Sequence, residues 1–417
     1  MRKITYFKLP PKILLYLGIL VVPAVIVFIL APNFISQKRA GQRPESELRK
    51  YAEEVLDKCS SVSYKPPCYD EEVPKLLDFI TMEDAFQVTR FVQEQDPTYL
   101  YCHVLGHNIA EKETQKDLSK WKDVVARCPT TMCNNGCPHG ALMERFKNDT
   151  DYLTEEQIES IKLDLADVCE PRDAWNPREI ERSMCYHALG HLHMYITNAD
   201  LRKSAKLCEE IGTKPDGRNY VQTCTEGVFM SIYQPLGPDD IALVKNVTPS
   251  KEKMPEFCAQ FKDSFMSFHA CHKEAWAIFR EKVTTPDTYY KFCTYTDDKQ
   301  WQDACFRSLM NPITDDIVIS RNDVEGLISF CRPLPSHVKN ICIYSTVHRL
   351  MQVDPKLVNK ALELCSMSLE LGNEVQQSCY GSLLAFGSLG FIRGSTEFYE
   401  YCRLLPEPWR EQCANRQ

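Results

Sequence analysis

The chain has 417 residues and a formal net charge of −8, with 49 lysines and arginines against 57 aspartates and glutamates. Nucleic-acid binding requires a clustered basic surface, and the absence of any long basic run excludes that class of partner. The sequence also has no phosphate loop, dinucleotide fingerprint, Gly-x-Ser-x-Gly elbow or His-Glu-x-x-His motif. It therefore predicts no nucleotide cofactor and no serine-hydrolase or kinase chemistry.

An uncharged stretch from Ile13 to Ala31 follows a basic N-terminal segment. Its nineteen residues are enough to span a bilayer and too many for an ordinary signal-peptide core, so we expect an uncleaved transmembrane anchor over 13–31. More basic residues precede this stretch than follow it, which places the N-terminus in the cytoplasm by the positive-inside rule. The predicted organisation is a cytoplasmic tail at 1–12, a tether at 32–43 and an extracytoplasmic domain at 44–417 of a single-pass membrane protein.

The cysteines support the same compartment independently. There are 20 of them, an even number, and all follow the uncharged stretch. Such a density is typical of an oxidising compartment, where disulfides persist, and is unusual in a reducing one. The main part of the chain is therefore expected outside the cytoplasm.

From Pro44 onwards a helical unit recurs. A short amphipathic helix, begun by a capping residue or a proline, ends in a first cysteine; a polar loop follows, and a second cysteine opens another helix. The first cysteines are spaced mostly by thirty to forty residues, the size of a helix–turn–helix repeat, and the one long step contains 233–240, which is predicted as an inserted loop. The pattern predicts an all-α fold. It is an α-solenoid of helical hairpins stapled by disulfides, preceded by one transmembrane helix, with a His-rich half over about 44–232 and a second half over about 250–417.

Each unit predicts one disulfide between its two cysteines. The remaining four cysteines follow if the repeat pattern pairs Cys128 with Cys137 and so leaves Cys102 for Cys133, although other connectivities are formally possible. The predicted pairs are Cys59–Cys68, Cys102–Cys133, Cys128–Cys137, Cys169–Cys185, Cys208–Cys224, Cys258–Cys271, Cys293–Cys305, Cys331–Cys342, Cys365–Cys379 and Cys402–Cys413.

The most distinctive motif is a pair of histidines four residues apart with a glycine between them. His187 and His191 form one such pair, and on a helix both side chains stand on one face. The same pattern occurs in the stretch 101–107. A glycine in a helix interior costs about 1 kcal/mol relative to alanine. Its recurrence, as Gly106 and Gly190, predicts the close approach of another backbone or of a ligand.

Three stretches of this region resemble a known repeat family. They are Cys185-Tyr-His-Ala-Leu-Gly, Asp200-Leu-Arg-Lys-Ser-Ala-Lys-Leu-Cys208 and Cys224-Thr-Glu-Gly-Val-Phe-Met. They are similar to Sel1-like repeats, and most of all to the disulfide-stapled, cysteine-rich helical-repeat proteins of bacteria, chiefly over residues 101–232. The resemblance implies stacked α/α hairpins that act as a protein-interaction scaffold with a partner on the solenoid surface. It supplies no catalytic residue.

Aligning the units on their second cysteines places a ligand-type side chain two residues further on in three consecutive units, as His139, His187 and Glu226. His103 joins them when the two Leu-Gly-His stretches are aligned, which puts Cys102 one place out of frame. Histidines one turn later, and a nearby glutamate, extend this set. The predicted metal ligands are His103, His107, His139, His187, His191, Glu226 and Glu144. Nitrogen and oxygen ligands of this kind suit a divalent zinc, iron or manganese ion, which can generate hydroxide for hydrolysis or, as iron, bind oxygen.

Three alternatives remain open from the sequence. The histidines can be structural, in which case the chain is a non-catalytic scaffold. The segment Cys133-Asn-Asn-Gly-Cys137-Pro-His139 can be a zinc knuckle with thiolate ligands. A further pair, His269 and His272, lies outside the repeated position and is at most an accessory to the site.

Overall fold

The computed structural model describes residues 43–415 except 97–98, 100–101, 130–131, 148–151, 173–174, 236–237, 280–282 and 392–393. Within these ranges there is no β-strand, only isolated bridges at Arg172–Trp175 and Thr213–Asn219, so the predicted all-α class is confirmed. The predicted transmembrane helix at 13–31 and the tail at 1–12 lie outside the described residues. None of the helices in the described part is sufficiently long and apolar to cross a membrane.

The helices of the described ranges alternate along the chain between the first and second halves of the predicted units. In the N-terminal part they are Glu45–Cys59 (α1), Pro66–Lys75 (α2), Met82–Gln95 (α3), His103–Gln115 (α4), Trp121–Arg127 (α5), Gly136–Lys147 (α6), Glu155–Asp167 (α7), Glu179–Ile196 (α8), Leu201–Gly212 (α9), Val221–Tyr233 (α10), Pro238–Val244 (α11), Met254–Ala259 (α12) and Phe265–Glu274 (α13). They continue as Pro286–Cys293 (α14), Lys299–Thr314 (α15), Val324–Cys331 (α16), Ser336–Val353 (α17), Val358–Met367 (α18), Asn373–Gly390 (α19), Thr396–Leu404 (α20) and Trp409–Ala414 (α21). A π-helical segment, Asp315–Ser320, extends α15.

The first helices of the units begin at the positions that their capping residues predict. Thr154 forms a capping box with Gln157 at the start of α7, and the side chain of Asp200 accepts a hydrogen bond from the backbone of Lys203 in α9. Such caps satisfy backbone N–H groups that have no partner inside the helix, which fixes the first residue of each helix. Thr285 caps α14 in the same way.

Two details of the predicted unit are wrong. The second cysteine does not open the second helix throughout, because α8 begins at Glu179, six residues before Cys185. Its start is set by the backbone N–H of Arg178, which donates to the Glu181 carboxylate, so the cysteine lies in the second turn. The segment 233–240 is not all loop either, since it includes the start of α11, which packs Val244 into the core.

Ten disulfides join all 20 cysteines, and they are the pairs that the unit pattern predicts. In most units the bridge ties the end of the first helix to the first two turns of the second. Closing a loop of about 15 residues in this way stabilises a fold by about 3 kcal/mol in the chain-entropy account. In these units the bridge therefore holds the two helices of a hairpin together covalently.

The second helices of successive units pack side by side. Each of α4, α6, α8, α10, α13, α15, α17 and α19 contacts the next in the series, and we call them the inner helices. Near the C-terminus α19 also returns to contact α8, and the Gln352 side chain of α17 donates to the Met184 sulfur at 3.8 Å. This stacking brings residues at one position of the repeat next to each other.

Candidate metal centre

Three consecutive inner helices supply five histidines to one site. His103 and His107 lie one turn apart on α4, His187 and His191 lie one turn apart on α8, and His139 projects from α6 between the two pairs. The Nε2 atoms of the α4 pair are 3.1 Å apart, and those of the α8 pair are 3.3 Å apart. We call these five residues the histidine cluster.

His139 links the two pairs. Its ring centroid lies 5.0 and 5.1 Å from those of the α4 pair, and 6.0 and 4.6 Å from those of the α8 pair. As a result, His139 forms a three-histidine group with each pair, and in each group one nitrogen per ring lies within 4.8 Å of the others. The cluster can therefore hold one ion, or two ions that share the central histidine.

The spacing of the nitrogens within each pair fits a transition-metal ion. Zinc–nitrogen bonds of about 2.0–2.1 Å in tetrahedral geometry place neighbouring ligand nitrogens roughly 3.3 Å apart. Both observed Nε2–Nε2 distances are close to this edge length.

Acceptors on α10 can hold the α8 pair in the metal-binding tautomer. The Nδ1 of His187 lies 3.3 Å from the Thr223 carbonyl, which can only accept, so His187 carries its proton on Nδ1. The Nδ1 of His191 lies 2.9 Å from the Ser231 hydroxyl, which accepts the ring proton when it donates its own to the Gly227 carbonyl at 3.0 Å. In that state both rings present an Nε2 lone pair to each other, as metal-binding histidines do.

Burial keeps four histidines of the cluster neutral. Burial, together with the neighbouring rings, lowers the pKa of His107, His139 and His191 well below the ordinary value. Burial lowers the pKa of His187 to about 4; Lys273 adds to this shift, while Glu226 and the Thr223 carbonyl oppose it. Neutral imidazoles have no proton to lose before they bind a metal. The Nδ1 of His139 is also buried and has no hydrogen-bond partner.

Glycines at the helix contacts set the positions of the histidines. A Cβ at Gly190 would lie 2.0 Å from the carbonyl oxygen of Cys224, and one at Gly227 would lie 2.1 Å from that of His187. On the α4–α6 side, a Cβ at Gly140 would meet the carbonyl oxygen of His107 at 2.2 Å. The predicted close approach is therefore that of backbone to backbone, and it brings α10 within hydrogen-bonding reach of the α8 histidines.

The structure does not place the two predicted carboxylates among the metal ligands. Glu226 forms an ion pair with Lys273 at 2.6 Å and accepts a hydrogen bond from Gln222 at 2.9 Å. Burial acts to raise the pKa of Glu226, but these contacts outweigh it and the pKa is lowered. Glu144 is buried in α6, and within the described part of the chain neither three-histidine group includes it or Glu226.

Three further buried histidines lie outside the histidine cluster and are held by packing. His269 stacks on Trp301 with ring centroids 3.4 Å apart, and its Nδ1 lies 3.1 Å from the Tyr295 hydroxyl. His272 stacks on Tyr295 at 4.2 Å, so the predicted accessory pair belongs to an aromatic cluster away from the site. His193 lies against Cys208 and Cys224, but a disulfide joins those sulfurs and leaves no thiolate to bind a metal.

The zinc-knuckle alternative is wrong for the same reason. Cys133 is bonded to Cys102, and Cys137 to Cys128, so neither sulfur is available as a thiolate ligand. Of that motif only His139 remains a candidate ligand.

Sequence reasoning missed the contribution of α10. Thr223, Met230 and Ser231 all contact the α8 histidines. None of the three is a histidine, so the repeated histidine pattern does not point to them. One signal was present, since Met230 follows Cys224 by six residues, as His191 follows Cys185.

Comparison of the chain with models of known protein families, with curated proteins and with solved structures gave no match. The resemblance to Sel1-like repeats therefore stays a prediction.

Proposed function

We propose that this protein is a membrane-anchored, extracytoplasmic helical-repeat protein that binds one or two transition-metal ions in the histidine cluster. The observation that carries the proposal is the arrangement of His187 and His191. The two Nε2 atoms are 3.3 Å apart, and each Nδ1 has a hydrogen-bond partner on α10 that can accept its proton. In the tautomer with both protons on Nδ1, the two Nε2 lone pairs face each other. Two lone pairs at that distance repel in a buried site, and a shared cation turns the repulsion into coordination.

The extracytoplasmic location is supported by chemistry and by sequence. Ten disulfides are stable in an oxidising compartment and rare in a reducing one. The uncharged stretch 13–31, preceded by basic residues, supplies the anchor in this proposal.

The ligand set leaves room for a reaction. Three imidazoles would supply three ligands to a four-coordinate ion and leave one position for water or substrate. A zinc, iron or manganese ion held in this way supplies a Lewis acid and an activated water, and iron also binds oxygen. The chain's own part is to hold the imidazoles neutral through burial and to fix their orientation through Ser231 and Thr223. We propose metal-dependent hydrolysis as the activity to test first.

Elemental analysis of the purified full-length chain tests metal binding. After growth with zinc, iron, manganese and copper, we expect at least one equivalent of metal in the wild-type protein and less in a His187→Ala/His191→Ala variant, which removes two ligands of one three-histidine group. A His337→Ala/His348→Ala variant is the matched control, because these two histidines lie on α15-facing and α19-facing positions of α17, outside the histidine cluster. It should keep its metal.

Negligible metal in the wild-type protein under every supplement would overturn the proposal. The histidines would then serve packing, and the chain would be the scaffold that its repeats suggest. A chelator separates the two functions as well, because a scaffold loses neither stability nor partner binding when metal is removed.

A further inference from the structure

A methionine sulfur atom lies beside the α8 half of the histidine cluster. The Met230 Sδ lies 3.3 Å from the Nε2 of His187, the same nitrogen that is 3.3 Å from the Nε2 of His191. Because the Nδ1 proton of His187 is directed at the Thr223 carbonyl, its Nε2 has no proton to donate to the sulfur. The opposite tautomer would turn the Nδ1 lone pair onto that carbonyl. The Nε2 of His187 therefore has two further donor atoms 3.3 Å away, the Nε2 of His191 and the thioether sulfur of Met230.

The repeat places methionine at a ligand position twice. The position six residues after the second cysteine is occupied by Met143 in α6, His191 in α8 and Met230 in α10. On each helix it follows the first ligand position by one turn, so the side chains at the two positions share a face. The two positions are thus occupied by His and His on α4, by His and Met on α6, by His and His on α8, and by Glu and Met on α10. Both methionines are half-buried, unlike the fully buried methionines of the core.

The charge of the α8–α10 half also restricts the ion. Its donors are neutral, and the carboxylate of Glu226, whose charge acts on His187, is already paired with Lys273. The cost of placing an ion in a buried site rises steeply with its charge, so without an anionic ligand a monocation is favoured over a dication. Thioether sulfur is a soft ligand that selects Cu(I) and offers little to zinc, iron or manganese.

We propose that His187, His191 and Met230 form a Cu(I) site, while His103, His107 and His139 form the harder, all-nitrogen site of the cluster. This inference rests on the proposed metal-binding function and refines it, since the sequence alone favoured zinc, iron or manganese throughout. The two sites differ because a thioether contacts a ligand nitrogen on the α10 side.

Anaerobic titration of the full-length protein with a preformed Cu(I) salt, in competition with the chromophoric chelator bicinchoninate, tests the proposal without a reductant that would open the disulfides. The informative variant is Met230→Leu, which conserves volume and removes the sulfur. We expect its Cu(I) affinity to fall by about tenfold or more while zinc affinity stays nearly constant, since only the soft ion uses the thioether. Met310→Leu, in the buried core of α15, is the matched control and should bind as the wild type does.

X-ray absorption at the copper edge gives a second measurement. Copper bound to the wild-type protein should show both nitrogen and sulfur neighbours, and the sulfur should be lost in Met230→Leu. If the wild type binds zinc through His187 and His191 but Met230→Leu leaves both the Cu(I) affinity and the copper spectrum unchanged, the copper inference fails and the metal centre stands. If the wild type binds neither ion, the proposed function fails as well.

Discussion

Replacing Ser231 by alanine should weaken metal binding even though Ser231 is not itself a ligand. Its hydroxyl lies 3.0 Å from the Gly227 carbonyl oxygen and 2.9 Å from the Nδ1 of His191. By donating to the carbonyl and accepting from the ring, it would hold the His191 proton on Nδ1 and leave Nε2 free for a metal. In the variant the buried ring loses that acceptor, and the tautomer with its proton on Nε2, which cannot bind a metal, becomes accessible.

The size of the effect follows from the role of such hydrogen bonds. Loss of a partner that orients a metal-binding histidine typically costs 10–100-fold in metal affinity, equivalent to about 1.4–2.7 kcal/mol. A hydrogen bond that only stabilises the fold contributes about 0.5–1.5 kcal/mol and leaves the metal affinity of the folded protein unchanged. Affinity and folding stability therefore separate the two roles of Ser231.

The assay is anaerobic Cu(I) titration of the metal-free, full-length protein in competition with bicinchoninate, with the free energy of unfolding measured by urea in parallel. Ser183→Ala is the control, because Ser183 lies on α8 and its hydroxyl is 3.4 Å from that of Thr223 without contacting the cluster. It should keep wild-type metal affinity. A Ser231→Ala protein that is folded and binds Cu(I) within twofold of the wild type would refute the tautomer argument.

Three further predictions concern packing, acid and oxidation. Gly190→Ala places a Cβ 2.0 Å from a backbone carbonyl oxygen and should lower the free energy of unfolding, by about 1–3 kcal/mol as overpacking does. The control Gly381→Ala, whose Cβ would have nothing within 4 Å, should not lower it. Equal urea midpoints for the two variants would contradict the prediction. Because His187 and His193 have pKa values of about 4 and 3 when folded, against 6.5 in the unfolded chain, the unfolded state binds more protons as pH falls from 6.5 to 4. The metal-free protein should therefore lose stability over that range, and a flat profile in urea titrations would count against buried neutral histidines. Thiol titration in denaturant without reductant should find no reactive thiol among the 20 cysteines, and several would contradict the ten disulfides.

The sequence by itself determined the repeat and the residues of the cluster. Helix starts, cysteine pairs and the positions of His187 and His191 depend on local spacing, because capping, disulfide closure within a hairpin and one-turn neighbours act over a few residues. The convergence of His103, His107 and His139 with that pair follows from the repeated position once successive hairpins stack. These features are readable from one chain without knowledge of its packing.

Only the tertiary structure decided which neighbours complete the site. Glu226 occupies the repeated position as predicted, but its carboxylate forms an ion pair at 2.6 Å with Lys273 on the next inner helix. Met230 and Ser231 reach the α8 histidines because Gly190 and Gly227 let the backbones of α8 and α10 touch. Both outcomes depend on the rotation and separation of helices about forty residues apart in sequence, and those are set by packing between units. The sequence pattern within one unit predicts which side chains lie on the same side of a helix. The packing between units determines which residues those side chains contact.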